Sequence, residues 1–161
     1  MTDHKAMEKA TFAAGCFWGI EVGFRKISGV ISAAVGYTGG SHDNPGYEDV
    51  CTGRTGHAEA VEVIFDPTAV SYTDLLDVFW VCHDPTTPNR QGPDVGTQYR
   101  SAIFFHDTAQ EQAAKASLEA AQNSGRFSNP IVTEISPAAT FHIAEDYHQR
   151  YLEKRGAASC H

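Results

Sequence analysis

Residues 9–37, KATFAAGCFWGIEVGFRKISGVISAAVGY, decide the fold. Lys9 to Gly15 is a short apolar run that stops at a glycine, the pattern of a strand. Beyond it Phe17, Ile20, Phe24 and Ile27 recur at spacings of three and four, with Glu21, Arg25 and Lys26 falling elsewhere. That period is an amphipathic helix opened by Cys16 and ended by Gly29. Val30 to Tyr37 reads as a second strand, so the opening stretch is a β-α-β unit.

Working outward, Ala58 to Phe65 alternates as a strand, with Glu59, Val61, Val63 and Phe65 on one face and Ala58, Ala60, Glu62 and Ile64 on the other. Asp66-Pro67 stops it. Ser71 with Asp74 predicts a helix start, and Tyr72, Leu75, Leu76, Phe79 and Cys82 follow on one face to an end near His83. Tyr99 to Phe105 is the next strand. Thr108 with Glu111 predicts a capped helix to about Gln122, closed by Gly125, then a strand over Ile131 to Ile135 and a last helix over Ala144 to Arg155. The first six elements have the split β-α-β order of a ferredoxin-like sandwich, so the fold class is α+β with an extra helix. Two long loops are expected. Gly36 to Gly56 holds six of the fourteen glycines, and Asp84 to Gln98 holds three prolines and two glycines. Loops of this length commonly carry function. Residues 156–161 form a small polar tail, expected to be mobile.

With 161 residues, no internal repeat and no break in composition, the chain reads as one domain spanning 1–161. No apolar run approaches membrane-span length, and Met1 to Ala10 lacks the apolar centre of a signal peptide. A cytoplasmic, monomeric protein is expected. Twelve basic against twenty acidic residues leave a net charge of −8 and no basic run to follow a phosphate backbone, which excludes the nucleic-acid-binding class.

Four cysteines, Cys16, Cys51, Cys82 and Cys160, include no C-x-x-C pair and need no disulfide framework in a chain that can build a core. Cys82 lies on the buried stripe of its helix and reads as packing. Cys16 stands at a helix start, where backbone N–H groups and the helix dipole favour a thiolate, with Gly15 and Gly19 opening the backbone and Phe17 and Trp18 beside the sulfur. On those grounds a reactive thiol and a small buried apolar cysteine weigh about equally. The eight histidines lack the ligand spacings of a structural zinc site, so no metal is expected.

Gly15-Cys16-Phe17-Trp18-Gly19 resembles the signature of the A class of peptide methionine sulfoxide reductases. The resemblance continues through Gly36-Tyr37-Thr38-Gly39-Gly40, Gly56-His57-Ala58-Glu59 and Gly96-Thr97-Gln98-Tyr99-Arg100-Ser101, in the family's order and across most of the chain. It implies reduction of methionine S-sulfoxide, free and in proteins, with thioredoxin as the usual reductant and no cofactor. Cys16 would attack the sulfoxide sulfur and be left as a sulfenic acid. Glu59 would protonate the sulfoxide oxygen, and its place on the inward face of a strand agrees, because desolvation favours the protonated acid. Tyr47 and Tyr99 match positions that hydrogen-bond the sulfoxide oxygen, and Asp94 one that supports the substrate network. Without the family, both tyrosines read as cover or core, and Asp94 reads as a turn former. Phe17 and Trp18 would form the pocket for the substrate methyl, with core packing the competing reading for Phe17. Cys160, penultimate in the tail, matches the family's resolving thiol, which condenses with the sulfenic acid; an incidental terminal cysteine is the competing reading. Cys51 reads as a bystander, with a substitute resolving thiol the competing reading. A module that binds oxidised methionine without turnover is the alternative, disfavoured because binding needs none of Cys16, Glu59 and Cys160.

Overall fold

The computed structural model describes residues 7–15, 17–40, 46–47, 50, 55–91, 94–145 and 148–149, with Phe17 and Trp18 described by backbone alone. In chain order the elements are β1 (Glu8–Ala14), α1 (Phe17–Arg25), β2 (Val30–Thr38), β3 (Ala58–Phe65), α2 (Tyr72–Cys82), β4 (Arg90–Gln91) and β5 (Asp94–Val95). A 3-10 turn (Thr97–Tyr99), β6 (Ser101–Phe105), α3 (Thr108–Asn123), β7 (Glu134–Pro137) and β8 (His142–Ile143) complete them. Six strands form one sheet in the order β7-β6-β1-β3-β2-β8. β1 lies antiparallel between β3 and β6, β2 is antiparallel to β3, and only β6 and β7 run parallel. The central order β6-β1-β3-β2, with α1 and α2 as crossovers, is the ferredoxin-like split β-α-β arrangement.

The main core lies between one face of this sheet and the helices. Ala10, Phe12 and Ala14 of β1 and Val61, Val63 and Phe65 of β3 meet Ile20 and Phe24 of α1, Leu75, Leu76 and Phe79 of α2, and Ala114 and Ala121 of α3. Phe12 is its centre, with the Phe24 ring stacked at 5.0 Å and the Phe79 ring at 5.4 Å. Burying each such ring contributes roughly 1.5–3 kcal/mol. The opposite face is built from small residues, Ala13, Ala58, Ala60 and Ala102, with Phe104 and Phe141 over them. Gly36 belongs here because a Cβ on it would lie 2.4 Å from the His142 carbonyl oxygen and 2.7 Å from the Phe141 ring. The lack of a side chain lets β8 close onto β2.

The Ala58–Phe65 strand and the Ser71–Asp74 capping box stand as the sequence predicts, with Ser71 Oγ accepting Asp74 N–H and the Asp74 carboxylate accepting Ser71 N–H. Several expectations are corrected. Asp107, not Thr108, caps α3, its carboxylate accepting Gln110 N–H at 2.8 Å. Tyr99 lies in the 3-10 turn, so the strand starts at Ser101. Within the expected Asp84–Gln98 loop, β4 and β5 pair as a small antiparallel hairpin. The strand expected over Ile131 to Ile135 runs Glu134–Pro137, because pairing with β6 begins at Ala102↔Glu134. The expected helix from Ala144 does not begin there: Ala144 N–H donates to the Val35 carbonyl, continuing the β8 connection, and the His148 N–H donates to the Glu145 carbonyl. The remainder of that helix and the 156–161 tail lie outside the described residues.

Candidate active site

One end of the sheet carries Glu59 and, through Tyr37 and Glu145, holds Tyr47. The exit of β1 leads through Gly15 and Cys16 to α1. β3 enters here with Glu59, and β2 leaves with Tyr37, its register partner. Two residues on from the Phe12↔Val61 pair, the β1 and β3 strands carry Ala14 and Glu59, so Glu59 stands beside the turn into α1. The Glu59 residue is 1% exposed and shares its face with Val61, Val63 and Phe65, as the alternation required. Burial of that depth favours the neutral carboxyl, the form able to give a proton.

The entry to β3 is fixed by His57, which is buried and whose Nδ1 accepts the Gly40 N–H at 3.0 Å. That bond places the ring proton on Nε2. Gly40 passes so close that a Cβ would lie 2.3 Å from both His57 N and Thr55 O. The glycine pair after β2 therefore clamps the residues leading into Glu59.

Tyr47 is held from the far end of the chain. Glu145 accepts the Tyr47 N–H through Oε2 at 2.8 Å and the Tyr37 hydroxyl through Oε1 at 2.9 Å. Burial pushes this carboxyl up, but the Tyr47 and Glu145 N–H groups, the Tyr37 hydroxyl and nearby His148 together hold it below the usual carboxylate range. The His148 ring, 1% exposed, lies 4.6 Å from the Tyr47 ring, and burial keeps its pKa below that of an ordinary imidazole against the pull of Glu145. Gln149 fastens the segment to β2, its amide accepting Val35 N–H and donating to the carbonyls of Val35 and Ala144.

Tyr99, half-buried, ends the 3-10 turn that packs on β3. The next residues anchor it. Arg100 donates to Glu134 at 3.0 Å and to the Thr97 carbonyl at 3.0 Å. Ser101 Oγ lies 2.8 Å from His83 Nε2 and 2.8 Å from Thr133 Oγ1. Since His83 Nδ1 faces the Phe79 carbonyl, it donates there, and the Ser101 hydroxyl donates to Nε2. Asp94, half-buried, pairs with Gln91 in the hairpin that leads into this turn. Cys82 is buried on α2, as packing requires. Cys16, Cys51 and Cys160 lie outside the described residues, and for Phe17 and Trp18 only their place in the first turn of α1 is given. Among the described residues, no three His, Cys, Asp or Glu side chains gather as they would around a metal ion.

The family model for peptide methionine sulfoxide reductase matches residues 8–161. This chain belongs to that family. The reductase is 62% identical over 160 residues to the peptide methionine sulfoxide reductase MsrA of Geobacter sulfurreducens, across 99% of each chain. Its fold is similar to that of the reduced form of Mxr1 from Saccharomyces cerevisiae, with a TM-score of 0.88 and 38% identity over 99% of this chain and 92% of Mxr1. Mxr1 in complex with Trx2 matches at a TM-score of 0.64 and 27% identity, over 94% of this chain and 88% of that one. The chain is thus an enzyme that reduces methionine sulfoxide. Sequence reasoning passed over three residues of the reductase that brace this end of the sheet: Tyr37, Glu145 and Gln149. Tyr37 sits in a quoted motif and could have been suspected, whereas Glu145 and Gln149 sit in what reads as the last helix, with no motif to mark them.

Proposed function

We propose that the reductase acts on the S epimer of methionine sulfoxide, free and in proteins, with Cys16 as nucleophile, Glu59 as acid and Cys160 as resolving thiol. The Cys16 thiolate attacks the sulfoxide sulfur while Glu59 gives a proton to the oxygen. The S–O bond breaks, the oxygen ends on Cys16 as sulfenic acid, and methionine leaves as a thioether. The Cys160 thiol then displaces water from the sulfenic acid to form a disulfide. A thioredoxin dithiol reduces that disulfide, a role supported by the likeness to Mxr1, which has been solved with Trx2. Tyr47 and Tyr99 hydrogen-bond the sulfoxide oxygen, Asp94 supports them, and Phe17 and Trp18 enclose the methyl group. The observation that carries this reading is Glu59, a buried carboxyl on the helix-facing side of β3 at the end of the sheet where α1 begins. The chain is read as one domain whose last residues, 156–161, bring Cys160 to Cys16, and as a cytoplasmic monomer. Among the described residues no helix is long and apolar enough to cross a membrane.

The test is a burst experiment. Cys160→Ser should release about one equivalent of methionine per enzyme and stall with thioredoxin alone, while dithiothreitol restores turnover by attacking the sulfenic acid directly. Cys16→Ser should give no burst with either reductant. If Cys160→Ser cycles normally with thioredoxin and Cys51→Ser stalls, the resolving role passes to Cys51.

A further inference from the structure

We propose that Glu145 is a positioning residue of the reductase, fixing Tyr47 over the site by holding its backbone N–H on a carboxylate that is itself moored to Tyr37. The inference rests on the substrate role given to Tyr47 above. The two Glu145 oxygens take different donors, Oε1 the Tyr37 hydroxyl at 2.9 Å and Oε2 the Tyr47 N–H at 2.8 Å. Tyr37 is fully buried and its backbone is paired in register with Glu59, so the ring that carries the hydroxyl is anchored on the strand next to the one bearing Glu59. Glu145 lies between two ties to Val35 of β2, the Ala144 N–H and the Gln149 amide. The same segment supplies the His148 ring against the Tyr47 ring. Backbone and ring of Tyr47 thus both meet residues about a hundred positions away, while Tyr47 itself stands at a helical position beside the bond from Val50 N–H to the Gly46 carbonyl.

A carboxylate suits this place better than an amide. Two donors converge on the group, and an ionised carboxylate is the acceptor-only side chain that receives both with strong, charge-assisted bonds. Glutamine has the same shape but one acceptor oxygen; with that oxygen on the Tyr47 N–H its NH₂ faces the Tyr37 hydroxyl, which must turn to accept it, and both bonds lose their charge assistance.

The experiment measures single-turnover methionine formation by the whole enzyme at saturating methionine sulfoxide, for wild type, Tyr47→Phe, Glu145→Gln, their combination and Glu145→Asp. The amplitude counts competent sites and the rate constant reports the chemistry, so a merely structural role would lower the amplitude alone. Tyr47→Phe and Glu145→Gln should each lower the rate constant, roughly ten- to a hundredfold for a misplaced contact group. The double variant should be no slower than Tyr47→Phe alone, because Glu145 has nothing left to position. Glu145→Asp, which keeps two acceptors, should recover part of the rate; it also carries the test if Glu145→Gln gives no folded enzyme. Equal slowing by Glu145→Gln in the wild-type and Tyr47→Phe backgrounds would overturn the proposal, as would a loss confined to amplitude. A wild-type rate for Tyr47→Phe with a slow Glu145→Gln would instead remove the role of Tyr47, and the proposal with it.

Discussion

Replacing Glu59 by glutamine changes one function and almost no shape. The residue is 1% exposed on the helix-facing side of β3, and glutamine fills the same volume, so the strand and its register with β2 should persist. What is lost is the transferable proton. General acid catalysis is typically worth about 10²- to 10⁴-fold in rate, which at 1.36 kcal/mol per decade is roughly 2.7 to 5.4 kcal/mol of barrier. Glu62 is the internal control, three residues along the same strand but on the other face. Its side chain is 21% exposed and lies 3.7 Å from Lys9 Nζ, whose own side chain is 48% exposed. Such a pair contributes roughly 0–1 kcal/mol to stability and nothing to the reaction. Rapid-quench single turnovers of Glu59→Gln and Glu62→Gln should therefore differ by at least about a hundredfold. Equal rates for the two variants would refute the assignment of the proton donor.

Two further perturbations probe how the site is held. Gly40→Ala would force a Cβ to within 2.3 Å of His57 N and Thr55 O; the overpacking should destabilise the fold by about 1–3 kcal/mol, measured as a lower urea midpoint, and an unchanged midpoint would contradict the clamp. His106 is held below the ordinary imidazole pKa by burial and by Lys9, so the unfolded chain takes up its proton first as pH falls below ~6.5, and stability should decline from there downward. His106→Gln should flatten that decline in urea titrations between neutral pH and mild acid. An identical pH slope for the variant would show that His106 carries none of the linkage.

Much of this architecture is local and could be read residue by residue. The alternation of Glu59, Val61, Val63 and Phe65 has period two, so it fixed which carboxylate faces inward before any partner strand was known. The Ser71–Asp74 pair is equally local, because a capping box closes within four residues. Thr108 with Glu111 has the same signature, yet Asp107 one residue earlier takes the cap, since either neighbour's side chain can accept from the first turn. The strand near Ile131 slipped because alternation shows a face but not where a partner begins, and Thr133 bonds Ser101 before the β6 ladder starts. The stretch from Ala144 has helical composition, but the Ala144 N–H, the Glu145 carboxylate and the Gln149 amide bond Val35 and Tyr37, more than a hundred residues earlier. No window of sequence contains both ends of that contact. The brace around Tyr47 became visible only once β2, β8 and the residues after β8 were in place.

In the proposed cycle Cys16 takes the oxygen and Cys160 resolves the sulfenic acid. Wild-type enzyme, treated with one equivalent of methionine S-sulfoxide in the absence of any reductant and then alkylated, digested and analysed by mass spectrometry, tests this directly. One equivalent of methionine should be released and a disulfide-linked peptide pair containing Cys16 and Cys160 recovered, with Cys51 and Cys82 alkylated. Four alkylated cysteines together with unreduced sulfoxide would contradict that cycle.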